Sequence, residues 1–226
     1  MNSKNVLLIG SGGLIGSGIL SYLNKKEYNV IDVDFPKIDV RSTSSISDFI
    51  NSLNGLRIDC VILGFGLNDH VKKNANRNII ENMCSDDIQR YLDVNLIGVF
   101  NVIQEFIKLN SNIKFIHLNS MYSKSIPHPK NYNGDHKDIG YVVSKSAAKV
   151  LIKYFSAHYP KASFIDLIIG AVDNNQPDFF RKNFKNDIIR ENLLDVETIC
   201  NHVLFYIESK YVTGIEVDIS GGKFIY

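Results

Sequence analysis

The run Val6-Leu7-Leu8-Ile9, followed at once by Gly10-Ser11-Gly12-Gly13-Leu14-Ile15-Gly16, leaves this chain few options. An unbroken apolar run predicts a strand buried on both faces, as in a parallel sheet covered by helices. Glycines let the backbone turn tightly, and Ile19, Leu20 and Leu23 then recur at helical spacing. Asn29 to Asp34 reads as a second strand that ends in acid. Strand, glycine turn, helix and strand in this order is the setting of a dinucleotide-binding fingerprint.

The glycines at 10, 13 and 16 give GxxGxxG rather than the strict GxGxxG. In either spacing a backbone free of side chains approaches a pyrophosphate, and the helix N-terminus meets its charge. Candidate contacts are therefore Gly10, Ser11, Gly13, Leu14, Ile15 and Gly16. A carboxylate at Asp34 accepts hydrogen bonds from the adenosine ribose hydroxyls and repels a 2′-phosphate. Asp32 shares its strand face and competes for the role, and Lys37 and Arg41 lie nearby. NAD is favoured, with NADP left open.

Further strands are expected at Asp59 to Leu63, Ile113 to Leu118 and Gly214 to Ile219, with a helical pattern over Ser85 to Leu109. Alternating strands and helices predict an α/β fold, a Rossmann-like doubly wound parallel sheet flanked by helices, in a single domain over residues 1–226. Lys plus Arg (25) nearly balances Asp plus Glu (24), which gives no advertisement for nucleic acid or an anionic membrane. Cys60, Cys84 and Cys200 form no CxxC pair, so free thiols, two of them buried, are expected rather than a disulfide framework or zinc site. The glycines interrupt the apolar N-terminal run, no stretch reaches the length of a membrane span, and a cytoplasmic protein is expected. The histidines show no metal spacing, and His117 reads as a satisfied core residue.

Tyr141-Val142-Val143-Ser144-Lys145 carries the chemistry. The stretch Ser144 to Phe155 is rich in helix formers, and on a helix Tyr141 and Lys145 share one face. A phenol beside a fixed ammonium is expected to have its pKa lowered toward neutral, making it a proton donor and acceptor near pH 7.

With these landmarks in order, the chain resembles a short-chain dehydrogenase/reductase over nearly its full length. Asp39-Val40 stands where that family places an acid and an aliphatic residue against the adenine, and Leu63-Gly64-Phe65-Gly66 stands at its Asn-Asn-Ala-Gly. Asn95 matches a mid-helix asparagine, Ser120 a serine at a strand end, and Tyr141 and Lys145 complete a tetrad. Tyr211-Val212-Thr213-Gly214 and Ser220-Gly221-Gly222 resemble the closing strand and glycine pair. The chain departs from the pattern at Leu63 and Gly64, at Ile169-Gly170 in place of Pro-Gly, and at Ser220 in place of an acid.

The resemblance implies that Tyr141 exchanges a proton with the substrate oxygen while hydride moves at nicotinamide C4. Lys145 would lower the tyrosine pKa and hold the nicotinamide ribose, Ser120 would bind the substrate oxygen, and Asn95 would seat a relay water. It also implies cofactor contacts at Asp39, Val40, Gly64, Phe65 and Gly170, and a homodimer or homotetramer built on the helices that carry Asn95 and Tyr141. The spacer between Ser120 and Tyr141 carries Tyr122, Lys124, His128, Lys130, Tyr132, Asn133, His136 and Lys137, with Asp135 and Asp138 as counterweights. It reads either as a solvated loop with scattered charge or as a specificity loop for a polar, anionic substrate such as a carboxylated or nucleotide-linked sugar. The Asp173-Asn174-Asn175-Gln176-Pro177 stretch resembles reductases of bacterial sugar-modification pathways, with Arg181, Lys182 and Lys185 at the same mouth. The competing expectation is a dinucleotide-binding sensor or scaffold that does not turn over.

Overall fold

The computed structural model describes residues 4–69, 84–132, 137–174, 176–190 and 192–223. Six parallel strands form one sheet: β1 (Asn5–Ile9), β2 (Asn29–Val33), β3 (Cys60–Leu63), β4 (Lys114–Ser120), β5 (Ser163–Ile169) and β6 (Ile215–Ile219). Their order is β2-β1-β3-β4-β5-β6. The chain leaves β1 for β2 on one side and returns across it to β3 on the other. A crevice therefore opens between the carboxyl ends of β1 and β3, where doubly wound sheets hold ligands.

Strand alternation sorts the core into two layers. Leu7, Ile9, Val61, Leu63, Phe115 and Phe164 face one side. There they meet α2 (Thr43–Ser52), α4 (Gly98–Leu109) and α5 (Ile139–His158), through Ile46, Val102, Phe106, Ile152 and Phe155. Val6, Leu8, Ile62, Ile116, Ile165 and Leu167 face the other side, against Ile19 and Leu23 of α1 (Leu14–Lys25) and Ile199 and Val203 of α7 (Val196–Glu208). At about 25 cal/mol per Å² of apolar surface removed from water, such two-sided burial is the main favourable term in the fold. Gly18 lets α1 close on α7, because a Cβ there would run into Val196.

The expected strands are all present, and the single helical pattern over Ser85 to Leu109 resolves into three pieces. These are α3 (Ser85–Leu92), a π-helical turn at Asp93–Ile97 and α4, run end to end. β5 had no expectation of its own. A third cluster sits above the N-terminus of α5, where Tyr91, Met121, Tyr122, Tyr141, Phe184 and Ile188 pack together under α6 (Asp178–Lys185). Cys60 and Cys200 are buried free thiols, held up at about 12 and about 11 by desolvation, and Cys84 is exposed. Among the described residues no helix is long and apolar enough to cross a membrane, and no group of three His, Cys, Asp or Glu side chains could hold a metal.

Candidate active site

The glycine turn is built by contact. Gly10 has φ +93°, and a Cβ on it would lie 2.5 Å from the Phe65 nitrogen. The turns after β1 and β3 thus touch backbone to backbone, and Gly64 N–H donates to the Ile9 carbonyl at 2.9 Å. A Cβ on Gly16 would strike the Gly10 carbonyl oxygen, so α1 can close on the turn only with glycine there. Gly13 is different. It caps α1 in extended conformation, and nothing lies within 4 Å of where its Cβ would be. The amides at the start of α1 therefore face open space, and a phosphate can approach them.

Asp32 of β2 and Asp34 just after it both reach this turn. Asp34 Oδ2 accepts from Gly12 N–H at 2.8 Å and Oδ1 from Phe35 N–H at 2.8 Å. Ser11 Oγ donates to Asp32 Oδ2 at 3.2 Å. Each carboxylate oxygen of Asp34 keeps a lone pair for a further donor. Asp39 is committed elsewhere. Its carboxylate takes Nε and NH2 of Arg41 at 2.9 and 2.7 Å, and that contact, the largest cause, holds it below the usual carboxylate range. Val40 packs against Gly98 and accepts from Asn101 Nδ2 at 3.1 Å.

The tetrad residues gather at the carboxyl end of β4. Asp138 caps α5 by accepting from Gly140 N–H at 2.8 Å, which starts the helix early enough to place Tyr141 in its first turn and Lys145 one turn later. Ser120 ends β4, and its hydroxyl lies near enough to the Tyr141 phenol to favour its ionised form. Lys145 is 4% exposed, and its Nζ donates to the Leu118 carbonyl at 3.0 Å. Gly66 lies over this group, its Cβ position 3.4 Å from Lys145 Nζ and 3.3 Å from Asn95 Oδ1.

Asn95 occupies the π-helical turn, a distortion that recurs at functional sites because the extra residue re-aims a side chain. Its Oδ1 accepts from Leu67 N–H at 2.7 Å, and its Nδ2 donates to Leu67 O and to Ser144 Oγ, both at 3.0 Å. The side chain expected to seat a water here clamps the segment after β3 onto α5.

The expected drop in the Tyr141 pKa is not what the structure shows. Burial, the larger influence, pushes the phenol above its ordinary value, and the Ser120 hydroxyl only opposes it. Lys145 is not among the influences on the phenol, and it is itself desolvated and held down at about 8. A second lysine also reaches the tyrosine. Lys137 Nζ stands 4.7 Å from the Tyr141 ring centroid and donates to Asn68 Oδ1 and, at 2.9 Å, to Asp69 O. Burial holds it at about 8 as well.

The spacer residues divide. Tyr122 and Tyr132 share a hydroxyl–hydroxyl hydrogen bond beside Tyr141, and Phe180 lies 5.6 Å from the Tyr132 ring. Lys124 instead faces Glu216 and Asp218 at 3.8 and 3.7 Å. Arg181 is paired with Asp173 at 2.6 Å and donates to Gln176 O at 3.0 Å, so it pins the 173–176 loop to α6. Lys182 and Lys185 are exposed on α6. Asn133, Asp135, His136 and Asn175 lie outside the described residues. Gly170 is required by Ser220, whose Cα would sit 2.8 Å from its Cβ. His117 is only half satisfied: Nδ1 bonds Asp166, and buried Nε2 finds no partner among the described residues.

The profile of the NAD dependent epimerase/dehydratase family matches residues 6–176, from β1 through the glycine turn, Asp34, Asn95, Ser120, Tyr141 and Lys145. The chain belongs to that family. As a member of the NAD dependent epimerase/dehydratase family, it also bears out the short-chain dehydrogenase/reductase resemblance read from the sequence. A curated relative, a 7alpha-hydroxysteroid dehydrogenase from Paraclostridium sordellii, is 36% identical over 94 residues. That alignment spans 37% of this chain and 35% of that protein. Among solved structures, a short chain dehydrogenase from Leptospira borgpetersenii serovar Hardjo-bovis with bound NAD+ superposes with a TM-score of 0.83 at 21% identity, covering 98% of this chain and 92% of that one. A 4-hydroxyisoleucine dehydrogenase complexed with NADH gives a TM-score of 0.83 at 18% identity, covering 99% and 100%. At these identities the two structures establish the shared fold.

Proposed function

We propose that this chain is an NAD(P)-dependent oxidoreductase that interconverts an alcohol and a carbonyl, with Tyr141 as general acid and base. The observation that carries the reading is the convergence of Ser120, Tyr141 and Lys145 at the sheet edge beside the crevice formed by Gly10, Gly13 and Gly64. The residues present fit a dinucleotide. Gly13 leaves the α1 amides open to a pyrophosphate, and Asp34 retains acceptor capacity for ribose hydroxyls. Asp34 also favours NAD, since Arg41 is neutralised by Asp39 and is a poor receptor for a 2′-phosphate. When bound, the dinucleotide supplies or accepts the hydride at nicotinamide C4.

The protein does the rest. Ser120 Oγ, beside the phenol, orients the substrate oxygen within reach of Tyr141. Tyr141 delivers or removes the proton at that oxygen, and Lys145 offers its ammonium to ribose hydroxyls and to the phenolate charge. Phe65, Leu14, Ile15, Val40 and Gly170 line the approach to the same crevice in this reading, and Asn95 holds its wall. The substrate is a polar carbonyl or alcohol of the sugar or sugar-nucleotide class. Lys137 offers a fixed cation beside Tyr141, while Tyr122, Tyr132 and Phe180 offer aromatic faces with hydroxyls, the pairing that suits a hydroxylated ring. The working form is a cytoplasmic single-domain chain assembled as a homodimer or tetramer through α4 and α5, whose Ile97-proximal end and Val143, Val150 and Tyr154 are exposed apolar groups.

The test is titration with NADH and NADPH, read by energy transfer from the tyrosines, which is clean in a chain without tryptophan. NADH binding in preference to NADPH is expected, followed by turnover with a carbonyl panel that Tyr141→Phe abolishes while binding persists. The sensor reading draws on one observation, the raised phenol of Tyr141. Lys145→Ala separates the two: an enzyme loses turnover and some affinity, a sensor only affinity. Binding of neither cofactor would sink both.

A further inference from the structure

Beneath the tetrad lies a buried polar chain that none of the roles above uses. His117 on β4 donates from Nδ1 to Asp166 Oδ1 on β5 at 2.7 Å. Asp166 Oδ2 accepts from Asn119 Nδ2 at 2.9 Å. Asn119 Nδ2 also reaches the Lys145 carbonyl at 3.3 Å, and its Oδ1 accepts from Ser120 N–H at 2.8 Å. His117, Asn119 and Asp166 are all nearly inaccessible, between the sheet and α5. A buried carboxylate is a large liability unless its charge is used or compensated.

Two features say that it is used. A carboxylate accepts only, so the His117 proton sits on Nδ1 and Nε2 is left bare, with no partner among the described residues. Burial, the first influence, and the Lys145 charge both hold His117 toward its neutral form. The His117–Asp166 unit therefore carries one net negative charge. The charged or titratable groups facing Lys145 are Asp166 from β5, His117 from β4 and Tyr141 from its own helix, while Asn95 and Ser144 are neutral. Asp166 is the carboxylate in that set, and it opposes the desolvation of the Lys145 ammonium.

We propose that Asp166 is a positioning residue for proton transfer: through Asn119 it fixes Ser120 against Lys145, and it is the buried counter-charge of the Lys145 ammonium. This inference rests on the oxidoreductase reading for its catalytic meaning, but not for its test. Asp166→Asn removes the charge and keeps the shape. One amide cannot serve two donors, so His117 accepts the new N–H by shifting its proton to Nε2.

The measurement is the 13Cε chemical shift of Lys145 against pH in the protein without added cofactor, the resonance assigned with Lys145→Ala. In Asp166→Asn the midpoint should fall by about one pH unit, the low end for loss of a nearby opposite charge. His117→Gln, which keeps the Asp166 charge, should leave the midpoint in place. Should Asp166→Asn not fold, Asp166→Ser, which leaves room for water, should give the same fall. NADH titration of Asp166→Asn should show near wild-type affinity at pH 6 and about fivefold weaker binding at pH 8, where about half of the lysine is charged at a midpoint of 8 but only about a tenth at a midpoint of 7. An unmoved Lys145 midpoint in a folded Asp166 variant, or an equal fall in His117→Gln, overturns the proposal. Failure of the wild type to bind NADH would overturn the oxidoreductase reading instead, with the lysine titration still deciding this one.

Discussion

Replacing Asn95 by alanine tests whether this side chain clamps the fold. Three polar groups lose their partner: Leu67 N–H, Leu67 O and Ser144 Oγ. Ser144 keeps a bond, because its hydroxyl donates to Tyr141 O at 2.9 Å. The two Leu67 backbone groups have no such reserve among the described residues. Stranding a buried donor or acceptor costs about 1–3 kcal/mol each, and partial access of water to Leu67 argues for the lower half, so the sum is about 2–4 kcal/mol. For a chain of this size about 2–4 °C is lost per kcal/mol, which predicts a Tm lower by roughly 5–15 °C. Urea unfolding of the cofactor-free protein gives the free energy, and hydrogen exchange at Leu67 gives the place. Asn95→Asp sharpens the test, since it can still accept from Leu67 N–H but sets two oxygens against each other at Leu67 O. It should recover little or none of the loss. If Asn95→Ala unfolds within about 0.5 kcal/mol of the wild type, the range of an ordinary surface change, the clamp is wrong.

Other expectations follow from the same geometry. Gly10→Ala should lose about 2–5 kcal/mol from positive φ and the clash with Phe65, whereas Gly13→Ala, with open space around it, should unfold like the wild type yet bind NADH more weakly. Lys145→Met should not simply stabilise the fold at pH 7, because it relieves a buried ammonium but strands the Asp166 carboxylate; what it should remove is a pH dependence of stability. The folded lysine titrates near 8 against an ordinary 10.5, so the unfolded chain binds more protons between those values and the penalty for the buried ammonium is fully present below 8. By urea unfolding the wild type should gain about 2–3 kcal/mol as pH rises from 8 toward 10.5, and Lys145→Met should lack that rise. Asp34→Ser should narrow the preference for NADH over NADPH in side-by-side titrations, because the carboxylate that repels a 2′-phosphate is gone.

Much of this molecule is legible along the chain because its signals are local. Val6 to Ile9 can only be a strand buried on both faces, and glycines at 10 and 16 can only mark places where backbone must meet backbone. The order of strand, turn, helix and acid then fixes the doubly wound sheet and brings Ser120, Tyr141 and Lys145 to its carboxyl edge. Three things needed the tertiary structure. The π-helical turn at Asn95 is invisible in a helical pattern, because one inserted residue leaves the periodicity of both flanks intact. The direction of the Tyr141 shift could not be read from Tyr141 and Lys145 alone, since desolvation depends on everything packed around them and here outweighs the lowering influence of Ser120. His117 and Asp166 are 49 residues apart and meet only because β4 and β5 are neighbours in register. Spacing determined which backbone this chain adopts and where its chemistry stands; burial, a property of the whole, decided the charge each group carries there.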